Sequence, residues 1–220
     1  MDVPPYRLSG VVYGTLLNHH TAWRALGEAL RQPPYNAPPK APVLYVKPCN
    51  TLAVSGDPVP VPPGVAELEV GACLGLVIGR AACRLEQASA LEHVAGYLIV
   101  NDVSVPHHSY YRPAVRFRAR DGFCPIGPRV VPRQALADPD DLNIRVFIDG
   151  ELTQQATTAQ AVRGVRRLLA DVTEFMTLSP GDILAVGAAA PAPRVRAGQR
   201  ARVEIDGLGW LENPFVQASA

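Results

Sequence analysis

A mixed α+β fold, mainly β and with few helices, is what these 220 residues predict. Three observations carry that expectation. Short runs rich in β-branched and aliphatic residues recur along the chain. The 22 prolines cut it at intervals too short for long helices. Only three stretches show helical character.

The strand candidates, in order, are Val43–Val46, Leu74–Ile78, Tyr97–Val100, Ile144–Ile148 and Val203–Ile205. Asp149-Gly150 follows the fourth directly and reads as a hairpin turn, because both types accept the left-handed backbone that a two-residue turn requires. Five prolines fall between Gln32 and Pro42, which precludes a long helix there. Similar punctuation recurs at Pro58–Pro63, Pro106, Pro113 and Pro191–Pro193. Among helices, His20–Leu30 places Trp23, Leu26 and Leu30 on one face. Leu85–Val94 reads as a short amphipathic helix that Gly96 would end. Val162–Met176 is the longest candidate, with Val165, Leu168, Leu169 and Val172 facing inward.

Composition narrows the function classes. The chain is 48% hydrophobic and 19% charged, ordinary for a globular protein able to bury a substantial core. Its 21 Lys and Arg nearly cancel 20 Asp and Glu, leaving +1, and the basic residues are scattered. A nucleic-acid face needs a concentrated positive patch, so nucleic acid is not an expected partner; a small anion needs only a few well-placed cations. No run approaches the roughly 18 apolar residues of a membrane span, and the start Met1-Asp2-Val3-Pro4-Pro5 has no basic-then-apolar leader pattern. Cys49, Cys73, Cys83 and Cys124 are widely spaced with no Cys-x-x-Cys pair, which argues against a zinc site and for reduced thiols. A cytoplasmic protein is expected.

Six segments in order resemble the fumarylacetoacetate hydrolase superfamily. They are Lys47-Pro48 after a strand, Leu76-Val77-Ile78-Gly79-Arg80, and Ala95-Gly96-Tyr97 followed by Val100-Asn101-Asp102-Val103-Ser104. Phe123-Cys124-Pro125-Ile126-Gly127-Pro128, Leu178-Ser179-Pro180-Gly181-Asp182-Ile183 and Glu204-Ile205-Asp206-Gly207-Leu208-Gly209 complete the set. Asn18-His19-His20, the Pro38–Tyr45 stretch, Val105–Pro113 and Arg120-Asp121-Gly122-Phe123 resemble one subfamily more closely. It is the first, N-terminal-type half or subunit of the bifunctional isomerase/decarboxylases of 4-hydroxyphenylacetate degradation. The resemblance implies a β-roll or sandwich, with residues 1–42 as a lid or arm and 43–220 as a catalytic-type domain. It also implies a homodimer, a homologous second subunit, or both. The implied substrates are oxo di- and tricarboxylates: 5-oxopent-3-ene-1,2,5-tricarboxylate for decarboxylation and 2-hydroxyhepta-2,4-diene-1,7-dioate for isomerisation.

The superfamily uses Mg²⁺ or Mn²⁺, held by a Glu-x-Glu pair and an Asp. Asp102 matches the Asp, whereas Gly71 and Cys73 occupy the two glutamate positions. Glu67 and Glu69 form a Glu-x-Glu pair four residues early, a displacement of roughly 13 Å along a strand that one bulge does not recover. Lys47 matches the family lysine, and Arg118 stands where relatives often carry Lys; both are candidate catalytic cations, Lys47 also a substrate contact. The His and Glu of the family's lid motif fall on Ala22 and Ala25, with His19 and His20 nearby. His107 and His108 follow Asp102 and are candidate acid/base groups, with Arg112 a candidate carboxylate partner. The late threonine of the family reads Val186-Gly187-Ala188. Three readings stay open: a decarboxylase/isomerase subunit, a non-catalytic partner of a metal-competent homologue, and a fumarylacetoacetate- or acylpyruvate-type C–C hydrolase.

Overall fold

The computed structural model describes residues 2–3, 6–107, 109 and 111–218. In chain order the first strands are β1 (Asp2–Val3), β2 (Tyr6–Arg7), β3 (Val12–Leu16), β4 (Val43–Lys47), β5 (Leu52–Ala53), β6 (Val59–Val61), β7 (Leu68–Glu69) and β8 (Ala72–Ile78). There follow β9 (Val94–Asn101), β10 (Cys124–Pro132), β11 (Asn143–Ile148) and β12 (Glu151–Thr157). The last are β13 (Ile183–Ala185), β14 (Arg194–Val195), β15 (Arg200–Ile205) and β16 (Gly209–Gln217). The α-helices are α1 (His20–Leu26), α2 (Val115–Arg118) and α3 (Val165–Thr173).

A seven-stranded sheet runs β4-β3-β13-β8-β9-β10-β5, and a five-stranded sheet runs β12-β11-β15-β16-β6. Every residue of β8 is buried, and alternation sends its two sides into different cores. Leu74, Leu76 and Ile78 join the main core shared with Val146, Val203, Leu211 and Phe215 of the five-stranded sheet. Cys73 and Val77 join a second core on the opposite face, with Val12, Val100, Ile126 and Ile183. A strand covered on both faces reads as a continuous apolar run, as this one does.

The expected β-rich architecture holds, with three local corrections. Within residues 1–42, β3 lies inside the large sheet, between β4 and β13. The helix expected over Leu85–Val94 reduces to a 3-10 turn, Ala90–His93, and Gly96 sits within β9. A side chain at Gly96 would strike the Val131 carbonyl of β10, so this glycine serves strand approach and not a helix end. The helix expected from Val162 begins at Val165, because Gly164 is its N-cap and Asp140 accepts from the Val165 N–H at 2.8 Å. The helix over His20–Leu30 divides into α1 and a 3-10 turn, Gly27–Arg31. Asp149 and Gly150, both at positive φ (50° and 87°), do join β11 to β12. No helix among the described residues is long and apolar enough to cross a membrane.

Candidate active site

Strand alternation builds the floor of a cavity of about 310 Å³. Asp102 donates its N–H to the Gly71 carbonyl, and Glu69 and Ser104 exchange backbone bonds two residues further along each segment. Glu69 and Gly71 therefore share a face with Asp102 and Ser104, and all four line the cavity. Arg118 and His107 close one side. Leu16, Leu17, Ala188 and Ala189 give it an apolar wall, and Ala22, Ala25 and Leu26 of α1 cover it. Arg194 and Ala192 complete the rim.

Asp102 is the electrostatic centre. Lys47 Nζ lies 2.9 Å from its Oδ1, Arg118 Nη1 2.5 Å from its Oδ2, and the Tyr45 hydroxyl donates to the same Oδ2. Burial by itself would raise the Asp102 carboxyl, but Lys47, Arg118 and the Tyr45 hydroxyl outweigh it and hold the group below the usual carboxylate range. Burial, and then the Asp102 charge, push the Tyr45 phenol well above its ordinary value, so it remains a donor. Gly14, directly across from Tyr45 in the β3–β4 pair, leaves the room that the tyrosine ring fills on its way to Asp102. The Arg118 guanidinium lies 4.7 Å from the centre of that ring. Two cations face one carboxylate, and the cluster keeps one surplus positive charge.

Lys47 does not meet the cavity. Its side chain is 1% exposed, and Nζ donates to the carbonyls of Val103 (2.7 Å), Arg118 (2.8 Å) and Phe123 (2.8 Å) besides facing Asp102. An ammonium has three hydrogens, and four oxygens already surround this one. Lys47, the expected substrate contact, thus places its ammonium behind Asp102.

The other predicted residues divide similarly. His107 lines the cavity, its ring stacked on Phe117 at 5.2 Å and 5°. Its Nδ1 is 2.9 Å from the Val105 carbonyl, which only accepts, so Nδ1 carries the proton and Nε2 is the acceptor nitrogen of the neutral ring. Burial lowers the His107 pKa, with the Val105 hydrogen bond opposing and the Arg118 charge assisting. His108 lies outside the described residues. Arg112, the expected carboxylate partner, is exposed and is not among the residues that line the cavity. His19 is buried as the N-cap of α1, bonded to Thr21 and the Thr157 carbonyl, while His20 is exposed.

The expected metal ligands do not assemble. Glu67 lies outside the cavity lining and pairs with Arg194 (4.0 Å) and Arg196 (3.6 Å). Glu69 does line the cavity, yet Arg194 Nη2 stands 3.1 Å from its Oε1 and the Ser104 hydroxyl 2.9 Å from its Oε2. A side chain at Gly71 would begin 2.5 Å from the Asp102 carbonyl oxygen, so this position has no room for a glutamate as the segments lie. Burial first, and then Asp102, raise the Cys73 thiol and keep it protonated, a poor metal donor. No group of three or more His, Cys, Asp or Glu is arranged around one point among the described residues. These residues do not fit a divalent-ion site, because internal cations already occupy the one family carboxylate retained.

Tyr45, Ser104 and Arg194 escaped the sequence reading. Tyr45 and Ser104 had a signal, each two residues from a recognised position on an extended segment. Arg194 had none; only the pairing of β14 with β7 brings it to the site.

A seven-stranded sheet beside a cavity with an ordered Asp at its floor is the architecture of a family. Residues 11–216 match the model of the family described as fumarylacetoacetate (FAA) hydrolase, C-terminal, and the chain belongs to this family. Over 209 residues, 95% of this chain, it is 40% identical to the 4-hydroxyphenylacetate degradation bifunctional isomerase/decarboxylase of Escherichia coli. It spans 48% of that relative, about half its length. A mitochondrial oxaloacetate tautomerase of Xenopus laevis is 32% identical over 188 residues, 81% of this chain and 59% of that protein. In structure, the chain is similar to a 5-carboxymethyl-2-hydroxymuconate delta-isomerase from Mycobacterium smegmatis, with a TM-score of 0.82 and 27% identity, covering 97% and 81% of the two chains. It is also similar to a maleylpyruvate hydrolase from Sphingobium sp. SYK-6 in complex with manganese(II) and pyruvate, with a TM-score of 0.80 and 26% identity, covering 95% and 71%.

Proposed function

We propose that this chain is a decarboxylase/isomerase subunit for ring-cleavage oxo-acids of 4-hydroxyphenylacetate breakdown. Its substrates on this reading are 5-oxopent-3-ene-1,2,5-tricarboxylate and 2-hydroxyhepta-2,4-diene-1,7-dioate. The carrying observation is the Arg118 guanidinium, fixed on Asp102 in a cavity whose inner cluster holds one surplus positive charge. That charge suits a carboxylate in the ground state and a dienolate in the transition state. In decarboxylation the C–CO₂ bond breaks, its electron pair enters the conjugated carbonyl, and the resulting dienolate lies against Arg118 before it takes up a proton. In isomerisation one proton moves from the enol oxygen to the distal carbon, and the His107 imidazole in the cavity wall is the candidate carrier. The Val105 carbonyl and the Phe117 ring fix the orientation of that imidazole.

C–C hydrolysis is less well supported. It needs an activated water, and the lid positions that could supply a base present the methyl groups of Ala22 and Ala25. The partner-subunit reading draws on the half-length match to the bifunctional relatives and on Gly71 and Cys73 at the ligand positions. Turnover of the tricarboxylate by the purified chain, followed by loss of ultraviolet absorbance, tests the proposal. Activity that Arg118→Gln abolishes is expected. Turnover only after a homologous second chain is added, with Arg118→Gln of this chain making no difference, would overturn it in favour of a non-catalytic role.

A further inference from the structure

We infer that Arg194 is a second carboxylate anchor, so that the cavity selects oxo-acids with a carboxylate at each end. The inference rests on the oxo-acid reading of the cavity and adds a binding residue to it. Arg194 enters through a long-range strand pair, in which it lies directly opposite Glu69. Its Nη2 faces Glu69 and its Nε faces Glu67, while Nη1 has no ion pair or hydrogen bond among the described residues. The side chain is 39% exposed, so a solute reaches it.

Both cationic stations line one cavity. Arg118 is seated on Asp102, whereas Arg194 is seated on Glu69, itself bonded to Ser104. The same cavity has an apolar wall, formed by Leu16, Leu17, Ala188 and Ala189, and it suits a carbon chain. Glu69 sets the selectivity: it already draws on Arg194, so an incoming carboxylate must compete with it, and a neutral end gains nothing there.

Calorimetric titration with 2-oxoadipate and with 2-oxohexanoate separates the stations, because the two acids differ mainly in a terminal carboxylate. The wild-type chain is expected to bind the diacid about tenfold more tightly, the scale of one charge-assisted pair. Arg194→Gln should erase that preference and leave 2-oxohexanoate affinity unchanged; Arg194→Lys should retain part of it. Glu69→Gln should strengthen diacid binding by removing the competing carboxylate. A diacid preference that survives in Arg194→Gln, or an equal loss for both acids, overturns the anchor. Affinities for both acids that are unaffected by Arg118→Gln would instead overturn the oxo-acid reading, and the anchor with it.

Discussion

Lys47 shows how a residue recognised as functional can act entirely from behind the site. With its ammonium enclosed by three carbonyls and Asp102, its removal would leave a buried carboxylate short of a partner and three carbonyls without a donor. Lys47→Met is therefore expected to cost about 3–5 kcal/mol in urea unfolding, far more than loss of a surface lysine. Asp102 makes a complementary prediction. Its folded pKa is depressed, so the stabilisation it provides is complete above the unfolded carboxyl value near 3.9 and is lost as pH falls through the lower folded value. An acid-unfolding series should show this as a stability loss confined to pH below about 4, and Asp102→Asn should flatten that limb.

At the scale of elements, α1 is held over the cavity by a clasp at its start. Asn18 is buried, donating from Nδ2 to the carbonyls of Arg163 (3.1 Å) and Val186 (2.9 Å) and accepting from the Arg163 N–H at 3.0 Å. Arg163 is in turn tied to Asp171 and to the Lys40 carbonyl. One side chain thus links α1 to α3 and to the segment after β13. Asn18→Ala would strand these backbone groups and is expected to cost on the order of 2–3 kcal/mol. Faster amide exchange at the start of α1, with β8 and β9 still protected, would locate that loss at α1; uniform acceleration would contradict the clasp.

For the whole molecule, the curled seven-stranded sheet gathers the site from parts of the chain far apart in sequence. Tyr45 and Lys47 come from β4, Asp102 follows β9, Arg118 ends α2, and Arg194 belongs to β14. Because two internal cations already occupy Asp102, chelation should not disturb the site. Binding of 2-oxoadipate is expected to be the same before and after exhaustive treatment with EDTA, and manganese paramagnetic resonance should detect no tightly held ion. A chelator-dependent loss of binding would show instead that Asp102 exchanges its internal cations for a metal.

Much of this was legible in the amino-acid order. The apolar run of β8, the Asp149-Gly150 hairpin and the inward face of α3 follow from local patterns, because alternation, turn chemistry and helical period act over a few residues. The order of residues also placed Asp102, Arg118 and His107 at the site, and it marked Gly71 and Cys73 as unable to supply carboxylates. Tertiary structure alone decided which cations reach the cavity. Lys47 and Arg118 are equivalent as charges in a sequence, yet one is sealed by backbone carbonyls and the other reaches the cavity. Arg194 and Arg112 reverse in the same way, one brought to the rim by a strand pair and the other left in solvent. The reason is physical: secondary structure is set by neighbours along the chain, whereas burial and partnership are set by segments that meet only when the sheets close.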